Sequence, residues 1–221
     1  MTVVISNLKE FKRGGTEMFQ QPAIIQTASS NDPKRKIFIF YPLVTGIRNL
    51  NVQQSINQTI LTHLNQLLKE RDIFEASLVE LQAWFEVKTN QRGVLSIALY
   101  VYSYTGGAHG MTTLRTLTFD QSSGKLFPLK ELFKAEANYQ KVILDMIKKQ
   151  IKQRNIPVIN EPVEFPGNDH FYIADKSLII YYQLYDLAPY AYGITYFPIS
   201  VYDIQDLIDE NGPLGKMLAS Y

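Results

Sequence analysis

Apolar residues recur every three or four positions from Val52 through Ile56, Ile60, Leu61, Leu64, Leu67 and Leu68. That spacing puts them on one face of a helix. The other face carries Gln53, Gln54, Asn57, Gln58 and Asn65. Asn49 or Asn51 is placed to cap its start. A second helix is expected over 138–153, where Tyr139, Val142, Ile143, Met146, Ile147 and Ile151 form the stripe. Between them the period changes to two. Leu81, Ala83, Phe85 and Val87 alternate with Gln82, Trp84, Glu86 and Lys88; after QRG at 91–93, Leu95, Ile97, Leu99 and Val101 alternate with Tyr100, Tyr102 and Tyr104. Two alternating runs across a short turn predict an antiparallel hairpin.

Further strands are expected in PAIIQTASS and KIFIFYPLV around the Asn31-Asp32-Pro33 turn, and in TTLRTLTFD, FYIAD, SLIIYYQLY and ITYFPISV. Gly124 supplies positive φ in the QSSGK turn. The stretch 155–170 reads as a surface loop because it holds three prolines and a glycine. YDIQDLI reads as a last short helix. Strands and helices in this order predict an α+β fold: an antiparallel β-sheet with two long helices packed on one face. Two modules are expected, residues 1–90 and 91–221, joined without a linker into one compact unit.

Charge removes several functions. The chain of 221 residues has 22 basic and 21 acidic side chains, a formal net charge of +1. That balance gives no basic footprint for nucleic acid. The basic cluster Lys148, Lys149, Lys152 and Arg154 ends a helix, where it complements the helix dipole. With no cysteine, disulfides and thiolate metal sites are excluded. No stretch reaches the roughly 20 apolar residues of a membrane helix. The opening MTVVISNLKEFKRGG lacks a basic-then-apolar leader, so a cytoplasmic chain is expected unless an export segment lies upstream.

The candidate chemistry sits in SYTGGAHGMT, where Gly106, Gly107 and Gly110 surround His109. The chain's three histidines, His63, His109 and His170, show no zinc-binding spacing, so no metal is expected. TGGAHG lacks the spacing of a dinucleotide loop and the lysine of a P-loop, and a strand follows it, so no nucleotide or other cofactor is expected. No Gly-x-Ser-x-Gly elbow occurs. A hydrolase would have to use His109 as base with Glu161, Glu164 or Asp169 as partner.

The stretches YTGGAHG, FDQSSGKLFPLKELF and YDLAPYAYGITYFPI resemble a domain in the outer part of bacterial anti-sigma-V factors, which bind lysozyme. The same domain precedes the catalytic part of certain peptidoglycan deacetylases, and IFIFYPLVTGIRNLNVQQSINQTI resembles its companion module in both. The resemblance covers residues from about 20 to the last helix. It implies a non-catalytic recognition module of the cell envelope, with a lysozyme-like protein as partner. The alternative is a peptidoglycan or other carbohydrate-binding accessory module. Neither the zinc-binding deacetylase pattern nor the sigma-gripping segment and membrane span of those relatives occurs in this sequence, so neither activity carries over.

Within that reading, Gly106 and Gly107 let the chain leave and re-enter the sheet, and His109 either fixes the loop by bonding a backbone carbonyl or meets the partner. Pro189 stiffens the APYAYG loop, from which Tyr190 and Tyr192 project. Tyrosine combines a large apolar face with a polar tip and few rotors to freeze. The expected binding residues are therefore Tyr104, His109, Pro189, Tyr190 and Tyr192.

Overall fold

The computed structural model describes residues 21–218 except 72 and 74, so the opening stretch MTVVISNLKEFKRGG, on which the expectation about a leader rests, lies outside the described residues. β1 (Ile24–Asp32) and β2 (Ile37–Thr45) form a hairpin. Its turn is held by the Asp32 carboxylate, which accepts from the amides of Lys34 at 3.2 Å and Arg35 at 3.3 Å. The helix α1 (Leu50–Glu70) starts at Asn49, whose side-chain oxygen accepts from Asn51 N at 3.0 Å. It buries Ile56, Ile60, Leu64, Leu67 and Leu68. α1 is also the crossover that makes β2 parallel to β3 (Glu80–Gln91), since parallel neighbours cannot be joined by a tight turn. β4 (Val94–Tyr104) and β5 (Met111–Asp120) complete a sheet of order β1-β2-β3-β4-β5.

The rest of the chain builds a second sheet, β6 (Phe171–Ala174), β7 (Ser177–Tyr182) and β8 (Thr195–Ser200), with α2 (Tyr139–Arg154) and the short α3 (Pro213–Leu218). Ile143 and Ile147 of α2 pack with Phe171, Ile173, Ile180 and Phe197. The 201–207 segment forms two 3-10 turns where a helix was expected. Among the described residues, no helix is long and apolar enough to cross a membrane.

The α+β class matches the expectation, while the layering differs from it. Instead of one antiparallel sheet with both helices on one face, two sheets lie face to face and each helix covers the outer side of its own sheet. One strand pairing, β2 with β3, is parallel. The reason lies in β4, which is buried on both sides. Leu95, Ile97, Leu99 and Val101 meet α1, whereas Ala98 and Tyr100 meet Tyr172, Ile179 and Tyr181 of the second sheet. The tyrosine-bearing face of the hairpin is thus a sheet-to-sheet interface. β3 and β4 are neighbours, so the first sheet continues through residue 90.

Polar groups stitch the sheets together. Ser96 Oγ accepts from the Ile173 amide at 3.2 Å, Thr89 Oγ1 donates to Ile173 O at 2.9 Å, and Thr116 Oγ1 donates to Phe171 O. Lys216 of α3 pairs with Asp120 at 2.7 Å, at the end of β5.

His63 of α1 and His170 ahead of β6 both lie along the free edge of the first sheet, beside β5. Burial, reinforced by the Arg115 charge, lowers the pKa of His63 below its ordinary 6.5; burial also lowers that of His170, where Asp186 and Asp169 oppose it. Below that ordinary value the unfolded chain takes up protons that the folded chain refuses, so stability is full above about pH 6.5 and declines as pH falls toward the lowered folded values. Thermal melts should show a lower midpoint at pH 5.5 than at pH 7.5. The difference should shrink in a His63→Gln, His170→Gln variant; an equal drop in that variant would assign the effect to other groups.

Candidate functional site

Two loops from different sheets meet at one end of the molecule. The first, residues 105–110, joins β4 to β5. Gly106 and Gly107 hold φ of 99° and 95° with open space where a side chain would sit, so the backbone conformation itself calls for glycine. Gly110 is required for the opposite reason. A Cβ there would lie 2.3 Å from the Tyr102 ring.

The second loop, residues 183–194, joins β7 to β8. It is anchored by Gln183, whose side-chain amide accepts from Leu114 N at 3.1 Å and donates to Leu114 O at 2.6 Å, taking the place of a neighbouring strand along β5. Tyr185 occupies the left-handed region at φ 67°. Pro189 precedes a single 3-10 turn, Tyr190–Tyr192, which Gly193 ends at φ 67°.

The loops are latched through Gly110 and His109. The Gly110 carbonyl accepts from Tyr190 Oη at 3.0 Å and from His109 Nδ1 at 3.1 Å. With Nδ1 assigned as the protonated nitrogen, Nε2 accepts from Tyr185 Oη at 3.2 Å. The His109 and Tyr190 rings stack with centroids 3.7 Å apart and planes at 16°. Tyr185 adds a tilted contact to Tyr190 at 5.7 Å. Tyr104 Oη donates back to Gly107 O at 2.8 Å, bracing the first loop.

The structure therefore brings His109, Tyr190 and Tyr185 into one bonded network around the Gly110 carbonyl, while Tyr104 braces the same loop separately at Gly107 and Pro189 and Tyr192 are exposed. Tyr192 is 50% exposed, and among the described residues its side chain makes no hydrogen bond or ring contact. Tyr185, 43% exposed, is a member the sequence reading missed. Its closeness in sequence to Pro189 was the available signal, but nothing local marks a tyrosine with positive φ. Tyr100 and Tyr102 lie behind the rim, Tyr100 buried and Tyr102 under Gly110.

This arrangement offers rigid aromatic surface. Both His109 nitrogens are engaged, and Glu161, Glu164 and Asp169 make no hydrogen bond to it. Among the described residues, no group of three or more His, Asp or Glu is placed to hold a metal ion.

Comparison with known proteins places the two loops in two matched segments. Residues 28–112, which include the glycine loop, match the family model described as deacetylase PdaC. Residues 130–202, which include the tyrosine loop, match the protein of unknown function family DUF3298. The anti-sigma-V factor RsiV of Bacillus subtilis (strain 168) is 30% identical over 183 residues, which is 76% of this chain and 63% of that protein. The chain thus spans less than two thirds of that relative's length. Two crystal structures share the fold. A DUF3298 family protein from Pseudomonas aeruginosa PAO1 superposes with a TM-score of 0.60 at 14% identity, covering 91% of this chain and 99% of that one. A DUF3298 family member from Bacteroides fragilis gives 0.56 at 16% identity, covering 90% and 97%.

Proposed function

We propose that this chain, which carries a segment matching the PdaC model and another matching DUF3298, is a non-catalytic recognition module that grips a lysozyme-like protein. Its setting is the extracytoplasmic cell envelope. The observation that carries the reading is Tyr192, half-exposed on a loop whose neighbour Tyr190 is latched to a second loop by a hydrogen bond and a ring stack. Exposed aromatics on a pre-ordered scaffold lose little entropy on binding, which is what protein-binding hot spots need.

The resemblance to anti-sigma-V factors points to lysozyme as the first partner to test. Tyr190 offers a sugar only one face, because His109 covers the other. Calorimetric titration with lysozyme should give saturable heat with a dissociation constant in or below the range of tens of micromolar. No heat in that range would overturn the choice of partner.

A further inference from the structure

A cleft of about 760 Å³ opens between α1, the edge strand β5 and the segment leading into β6, a volume in the range of small-molecule sites. Its lining includes Gln183 and Leu114, which anchor the tyrosine loop, but none of the rim residues Tyr104, His109, Tyr185, Tyr190 or Tyr192. His63 and His170 both face it, and the Nδ1 atom of each is buried without a hydrogen-bond partner. Buried polar atoms are nearly always paired, so two orphaned imidazole nitrogens along one cleft call for a ligand or ordered solvent. Burial lowers the pKa of both rings and so favours the neutral imidazole, with one donor and one acceptor; in His170 one ring nitrogen is already engaged with the Pro166 backbone. Asp169 adds an exposed carboxylate to which nothing among the described residues donates.

The other lining groups narrow the ligand class. Arg115 is already forked onto Glu70 at 2.8 and 2.9 Å, which leaves Asp169 as the uncompensated charge and disfavours an anion. An apolar ligand would leave the imidazoles unpaired at the usual cost of buried polar groups. A metal lacks the three assembled donors it needs. A neutral polyhydroxylated ligand meets every condition. Each hydroxyl both donates and accepts, so it suits either imidazole nitrogen and the carboxylate, while the C–H face of a sugar ring packs on Phe127 in the cleft wall.

We propose that this cleft is a saccharide site in which sugar hydroxyls pair with the imidazoles of His63 and His170 and with the carboxylate of Asp169. Both Nδ1 atoms are shielded in the unliganded cleft, so the proposal requires each ring to turn about χ2 when the ligand binds. The groups that would bind the ligand, His63, His170 and Asp169, are not rim residues, so failure of this proposal would leave the protein-binding reading untouched.

The test is 15N NMR of the imidazole nitrogens during titration with two probes, the β-1,4-linked N-acetylglucosamine trisaccharide and maltotriose. A saturable shift of the His63 and His170 nitrogens is expected with at least one probe below about 10 mM, with the His109 nitrogens unmoved. Asp169→Asn alters an exposed side chain and should keep the fold, yet weaken binding at least tenfold. Tyr190→Ala should leave the titration unchanged. No saturable shift with either probe, or a shift that Asp169→Asn leaves intact, overturns the proposal.

Discussion

Replacing Tyr190 and Tyr192 together by alanine should weaken binding of the protein partner by at least about 100-fold, the scale set by paired aromatic hot spots. The thermal midpoint should fall by only a few degrees, because neither ring belongs to a core cluster of buried residues. The single variants should divide the effect. Tyr192→Ala removes a half-exposed ring that makes no hydrogen bond or ring stack among the described residues, so its loss appears mainly in affinity. Tyr190→Ala also removes the hydrogen bond to Gly110 and the stack on His109, so both affinity and loop order suffer. Tyr190→Phe keeps the stack and should retain most of the affinity. Surface titration and melting curves on the four proteins check this. If the double variant bound like the parent, the rim would not be the contact surface.

Gly110→Ala should have the second largest effect. The added methyl carbon would sit 2.3 to 2.5 Å from Cε2, Cζ and Oη of Tyr102. No real Cβ contact is that short, so either the half-buried Tyr102 ring or the Gly110 backbone must shift. Overpacking of this kind costs about 1–3 kcal/mol. For a chain of this size that corresponds to a midpoint lower by about 2–12 °C. Shifting Gly110 also moves the carbonyl that holds Tyr190 and His109, so affinity should fall along with stability. Gly106→Ala makes a useful comparison. It meets no atom within 4 Å but is placed at φ 99°, so its cost is purely conformational. A smaller loss in Gly110→Ala than in Gly106→Ala would contradict the steric account.

The local patterns were legible because each rests on neighbouring residues. The α1 stripe, the Asn49 cap, the β3–β4 hairpin and the positive φ of Gly106, Gly107 and Gly124 all appear where the sequence placed them. What the sequence did not carry is what depends on distant partners. The alternation in β4 predicts one buried face, yet both are buried because a second sheet covers the tyrosine side. The parallel pairing of β2 with β3 follows from where α1 crosses over, and no residue in either strand announces it. His63 is 107 residues from His170 in the sequence, and only the fold brings the two to the same cleft. For the rim, composition pointed to Tyr190 and Tyr192, but the latch through His109 and Tyr185 is visible only once both loops are seen together.

The central assertion is that residues 104–110 and 185–193 form one contact surface. Hydrogen–deuterium exchange on the chain alone and saturated with lysozyme tests it most directly, since bound amides slow in proportion to their protection. The account predicts new protection confined to those two loops. Protection spread along β1 or α1, with both loops exchanging as in the free protein, would contradict it.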